Sequence, residues 1–134
     1  MRAVLDANIL IAALLSRSGA PAQIMNRWLG GAFDLVVSQA LLSELERALA
    51  YPKLRRRITE RDAAEFVSLL RLAAIIAPDQ AGSHHSDDPG DDYLLALAKN
   101  EHAVLVSGDR HLLRLAHTLP IKTARAFLEA LSEV

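Results

Sequence analysis

The 134-residue chain is 51% hydrophobic and 23% charged, with 15 Lys and Arg against 16 Asp and Glu; this balance excludes a disordered or fibrous polymer, and the net charge of −1 excludes a global basic field. Its length fits one compact domain spanning 1–134. Aromatics supply only 4%, too few for the stacking platforms of single-strand readers, and the lack of cysteine excludes disulfides, thiolate zinc sites and a Cys nucleophile.

Ala3-Val4-Leu5 reads as a short buried strand ended by Asp6, after which Asn8 and Ile9-Leu10-Ile11 open a helix that Ser18-Gly19 stops. No apolar stretch with a small-residue cleavage site precedes this strand, and no later run reaches the roughly 18 apolar residues of a membrane span, so a cytoplasmic location without membrane contact is expected. Pro21 starts a second helix through Trp28, Gly30-Gly31 breaks it, and Phe33–Val37 forms the second strand, with Ser38 as the cap of the third helix.

Residues 39–50 repeat apolar positions at helical spacing (Leu41, Leu42, Leu45, Leu49), with Glu44 early in that helix at the edge of its apolar face. Thr59 and Asp62 resemble a capping arrangement for a helix through Leu72, and Ile75-Ile76 before Pro78 makes the third strand. Residues 79–90, rich in Gly, Ser, Pro and acids, read as a loop leading to the active face. A helix opens at Asp91-Asp92, Ala103–Val106 is the fourth strand, and Ser107-Gly108-Asp109 ends it. A short helix over 110–116, a brief strand at Ile121 and a helix over 123–133 complete the pattern. Strands alternating with helices over short links predict an α/β fold: a central parallel sheet of four or five strands between two helical layers.

In such a sheet, functional groups collect at the carboxyl ends of the strands and at the helix starts that face them. Asp6, Glu44, Asp91, Asp92 and Asp109 all fall in those positions. Carboxylates gathered in one cleft would repel by several kcal/mol at low effective dielectric, and a cation relieves the conflict. All-oxygen ligands select hard ions, Mg²⁺ or Mn²⁺, which suit phosphoryl chemistry.

Four stretches carry a family resemblance: Val4–Leu10, Ser43-Glu44-Leu45, Asp88–Ala98 and Leu105–Leu113. In this order they resemble the landmarks of PIN domains, in particular the prokaryotic branch related to the VapC toxins of toxin–antitoxin systems. The resemblance implies a PIN-like α/β/α sandwich and a Mg²⁺- or Mn²⁺-dependent endoribonuclease, with Asp6, Glu44, Asp92 and Asp109 as the catalytic, metal-holding set. It further implies that Asn8 braces Asp6 and that Ser107 orients a carboxylate or water; of the adjacent Asp91 and Asp92, either of which could be the direct ligand, Asp92 is favoured and Asp91 is the supporting acid. An RNA substrate, a cognate antitoxin and a homodimer are the partners expected on the same ground. Ser107 stands where the family commonly has Thr, and Gly90 where many relatives carry another acid.

Other readings of the same residues stay open. Asp6 and Asn8 could be a turn and helix cap, Asp91 could serve only a helix dipole, and His84-His85 reads as an exposed pair rather than a metal tract. The basic run Lys53, Arg55, Arg56, Arg57 and Arg61 is either a solvated face or a seat for an RNA backbone, as are Arg110 and Arg114 nearer the acids. Asp6-Ala7-Asn8 also resembles the start of a haloacid-dehalogenase phosphatase, though without its second carboxylate. The remaining alternative is a PIN fold that binds RNA or protein without catalysis.

Overall fold

A computed structural model of the chain describes residues 1–79 and 92–132. Five strands form one sheet: β1 (Arg2–Leu5), β2 (Asp34–Val37), β3 (Ile75–Ile76), β4 (Val104–Val106) and β5 (Ile121–Lys122). The order across the sheet is β3-β2-β1-β4-β5, and every neighbouring pair is parallel. The register sets Ala3 beside both Leu35 and Val104, so β1 is central and apolar on both faces.

The helices are α1 (Ala7–Leu15), α2 (Ala20–Leu29), α3 (Gln39–Leu49), α4 (Pro52–Arg55), α5 (Glu60–Ala73), α6 (Asp92–Asn100), α7 (Arg110–Leu113) and α8 (Ala124–Ser132). They cover the sheet in a three-layer α/β/α arrangement. Helix α1 is apolar apart from the exposed Asn8 because β1 delivers it into the core, where α2 and α3 both pack on it. Helix α6 packs on β1 and β4, and α8 packs on α2 and β5. The core is mainly aliphatic, with Leu5, Leu10, Leu35, Leu41, Leu42, Leu45 and Leu105 all fully buried, and its aromatics include Trp28 and an edge-to-face pair of Phe33 and Phe127 at 5.1 Å.

Local chemistry explains the boundaries. Asp6, Ser38, Thr59 and Asp109 each cap a helix by accepting a backbone N–H two or three residues on. Asp79 adds a second cap to α3, accepting from the Ala40 N–H at 3.0 Å. Gly31, at φ 86, makes the left-handed turn that returns the chain from α2 to β2. The structure differs from the sequence reading at α4, a single turn started by Pro52 that periodicity is too short to reveal, and at α7, which ends at Leu113. No helix among the described residues is long and apolar enough to cross a membrane. The expected loop from residue 80 to 90, with His84-His85, and Asp91 lie outside the described residues.

Candidate functional site

The strand order reverses between β1 and β4: the chain moves from β1 outward to β2 and β3, then re-enters on the other side of β1. At such a switch point the connections leaving two adjacent strands diverge, opening a crevice at their carboxyl ends. Asp6 follows β1 there, and Ser107-Gly108-Asp109 follows β4.

Asp6 is held from three sides. Its N–H donates to the Val106 carbonyl at 3.1 Å, continuing the β1–β4 ladder. One carboxylate oxygen accepts the Ile9 N–H at 2.9 Å, and the other accepts the Ser107 hydroxyl. The side chain is only 6% exposed. Desolvation pushes its carboxyl above the ordinary aspartate value of 3.8 against the pull of the Ser107 hydroxyl and the Ile9 and Asn8 amides, and the negative charge of Glu44 adds to the rise.

Ser107 is fully buried and works in two directions, because its oxygen also accepts the Asp109 N–H at 3.0 Å. One hydroxyl therefore ties the end of β1 to the turn after β4. Asp109 is half-buried and caps α7 by accepting the His111 N–H at 2.7 Å through one oxygen. Asn8 meets Asp6 through its backbone amide, while its side chain is exposed.

Glu44 is the sixth residue of α3, mid-helix rather than early as the sequence pattern suggests, and it is half-buried. Its carboxylate accepts the Tyr93 hydroxyl, which reaches across from the start of α6. Asp92 enters as the first residue of α6, next to Tyr93. The structure thus brings together Asp6, Ser107 and Asp109 by hydrogen bonds, with Glu44 facing Asp6 electrostatically. Tyr93 is the residue that the sequence reading passes over, and its signal is an aromatic flanking an acid at a helix start.

The ion pairs among the described residues join Arg2 to Glu101, Arg55 to Glu60, Arg61 to Glu65 and Arg71 to Glu46. None involves Asp6, Glu44 or Asp109. No group of three or more acids or histidines among the described residues already stands in coordinating proximity. The donor chemistry nevertheless fits a hard cation, since Asp6 is a buried carboxylate facing a like charge with no positive partner among the described residues.

Arg110 opens α7 directly after Asp109, and Arg114 caps its end; both are exposed. Arg55, Arg56 and Arg57 lie elsewhere. Helix α3 starts at the strand ends and runs away from them for eleven residues, about 16 Å at 1.5 Å per residue, before α4 begins. The basic run therefore follows the far end of α3, beyond Glu44 and away from Asp6 and Asp109 at the strand ends.

A family model described as a PIN domain matches residues 2–111. Among solved structures, PAE2754 from Pyrobaculum aerophilum is similar with a TM-score of 0.68 and 18% identity, covering 100% of this chain and 91% of that one. VapBC2 from Rickettsia felis, bound to a DNA fragment from its promoter, gives 0.65 and 14%, covering 92% and 98%. VapBC-1 from nontypeable Haemophilus influenzae gives 0.63 and 16%, covering 93% and 99%. None of the curated proteins matches the sequence.

Proposed function

The chain belongs to the PIN domain family, whose members are generally nucleases, and on that premise we propose that it is a metal-dependent endoribonuclease, the toxin of a toxin–antitoxin pair. The observation that carries this reading is the buried carboxylate of Asp6 at the β1–β4 switch point, oriented by hydroxyl and amide donors yet left without a positive partner among the described residues. A structural acid buried to this degree would ordinarily be paired, because an unpaired charge costs several kcal/mol. Here the charge is kept available.

Asp6, Glu44, Asp92 and Asp109 would hold Mg²⁺ or Mn²⁺, with Asp91 and Asn8 in support. Bound there, the ion would act as a Lewis acid that polarises the scissile phosphate, acidifies the attacking water and neutralises charge on the leaving oxygen. The chain's own residues do the rest. Ser107 fixes the rotamer of Asp6 and the turn that presents Asp109. Arg110 and Arg114, on the helix that Asp109 caps, are suited to hold the RNA backbone, with Arg55, Arg56 and Arg57 as a more distant contact for longer substrates. The PIN-domain match over residues 2–111 favours a ligand role for Asp6 over a phosphorylated nucleophile.

Two of the similar structures are VapBC assemblies, which supports a cognate antitoxin as partner; a homodimer and a cytoplasmic setting go with the same reading. The test is cleavage of a panel of structured and unstructured RNAs by the purified protein in Mn²⁺, in Mg²⁺ and in EDTA, beside an Asp6→Asn/Asp92→Asn double variant. Metal-dependent cuts that the variant does not make are the expected result. Cuts that persist in the variant would overturn the assignment of the acids, and a folded, metal-binding protein that cuts nothing in the panel would favour a non-catalytic binding role.

A further inference from the structure

Two sets of acids among the described residues differ in the chemistry of the side chains that hold them. Glu46, Glu60, Glu65 and Glu101 each face an arginine at the surface. Asp6 and Glu44 are instead held by hydroxyls, Ser107 on the first and Tyr93 on the second. The distinction has a physical consequence. A guanidinium orients a carboxylate and also cancels its charge, so it competes with any cation for the same oxygens. A hydroxyl orients it and leaves the charge whole.

Tyr93 is half-buried, with its ring packed against the core. A phenylalanine would pack there as well, so packing alone does not account for the hydroxyl, which a partly buried tyrosine must satisfy with some acceptor. The Glu44 carboxylate, whose charge acts on Asp6, accepts that hydroxyl. The bond also spans two elements that the topology delivers separately, α3 after β2 and α6 after β3. Among the described hydrogen bonds it is the one that ties α6 to α3, and it falls one residue after Asp92.

We propose that Tyr93 is a positioning residue for the acidic site: its hydroxyl holds the Glu44 carboxylate in a fixed orientation across the α3–α6 gap without neutralising it, so that Glu44 presents its free lone pairs to a divalent cation. Tyr93 does for Glu44 what Ser107 does for Asp6. The proposal rests on the reading of the acids as a cation site, and it adds a residue that reaches the cation only through Glu44.

The experiment is a double-mutant cycle on Mn²⁺ affinity, read by isothermal titration calorimetry on wild type, Tyr93→Phe, Glu44→Ala and the double variant, with Asp6→Asn alongside. All are measured at a temperature at which circular dichroism finds each protein folded. Removing a group that orients a metal ligand weakens affinity by about 10-fold or more, so Tyr93→Phe should bind Mn²⁺ about 10-fold more weakly than wild type. In the Glu44→Ala background the same substitution should change nothing. A Tyr93→Phe protein that binds Mn²⁺ like wild type while Glu44→Ala binds it weakly overturns the role of Tyr93 and leaves the cation site standing. A Tyr93→Phe effect that persists in the Glu44→Ala background marks a general packing defect and also overturns the proposal. Wild-type affinity in both Glu44→Ala and Asp6→Asn would remove the cation site itself.

Discussion

Replacing Ser107 with alanine removes one oxygen from a fully buried position and breaks two bonds at once, the one donated to Asp6 and the one accepted from the Asp109 N–H. A hydrogen bond to an ionised group contributes about 1.5–3 kcal/mol and a neutral one about 1 kcal/mol. The expected destabilisation at neutral pH, without metal, is therefore about 2–4 kcal/mol. Its pH dependence is more informative than its size. The Asp6 carboxyl sits above its ordinary 3.8 because it is desolvated, so its ionisation opposes folding. The stability that goes with this raised value is fully present below 3.8 and is lost as the pH rises through the folded-state value. Ser107 acts against the rise by stabilising the charged form, and Ser107→Ala should lift Asp6 further. The cost of the substitution should then be largest at neutral pH and shrink toward the neutral-bond level as the pH falls toward 4. Urea unfolding followed by far-ultraviolet circular dichroism in EDTA, between pH 8 and pH 4, measures this directly. A cost that stays constant over that range would refute the claim that the hydroxyl acts on a charged Asp6.

Asp6→Asn keeps an acceptor for the Ile9 N–H and can donate its amide to Ser107, so the variant should unfold at higher urea than wild type in EDTA while losing RNA cleavage by at least about 100-fold; a lower midpoint would contradict the desolvation of that carboxylate. Phe127→Ala empties a fully buried site against Phe33 and should cost about 3–5 kcal/mol in urea unfolding, with no pH dependence between 5 and 8; a cost near 1 kcal/mol would mean that α8 is not anchored through this ring. Arg110→Glu/Arg114→Glu should weaken RNA binding in filter assays and lower the salt slope by about one per lost phosphate contact. The triple reversal of Arg55, Arg56 and Arg57 should do less on short RNAs because it acts at the far end of α3, and the opposite ranking would move the RNA path to α4.

The parts of the fold that announce themselves in the sequence are those decided locally. Apolar runs of three or four residues before Asp6, Ser38 and Ser107 mark three strands because both faces of a parallel sheet are buried, and the caps mark helix starts because a side-chain oxygen must satisfy the first free amides. Strand order is not local: nothing in Ile75-Ile76 or Val104–Val106 says on which side of β1 each will pair. The order decides that β1 and β4 are adjacent, and with it that Asp6 and Ser107, 101 residues apart, share a hydrogen bond. Helix α4 escapes for the opposite reason, since four residues are too few for a periodic signal.

Glu44 and Glu46 make the same point at the level of chemistry. They stand two residues apart on one helix, in a stretch where the apolar positions Leu41, Leu42, Leu45 and Leu49 define the buried face and leave both glutamates beside it. Periodicity gives them nearly equal claims to a solvated role. The fold separates them by what comes to meet each: α5 brings Arg71 to Glu46 at 2.8 Å, and α6 brings the Tyr93 hydroxyl to Glu44. One charge is cancelled at the surface and the other is oriented and left intact. A carboxylate whose partner donates a proton but carries no charge retains its attraction for a cation, and Asp6 and Glu44, which among the described residues are held by side-chain hydroxyls, also act on each other through their charges. Such an arrangement opposes the stability of the empty protein, and ion binding would turn the same repulsion into affinity.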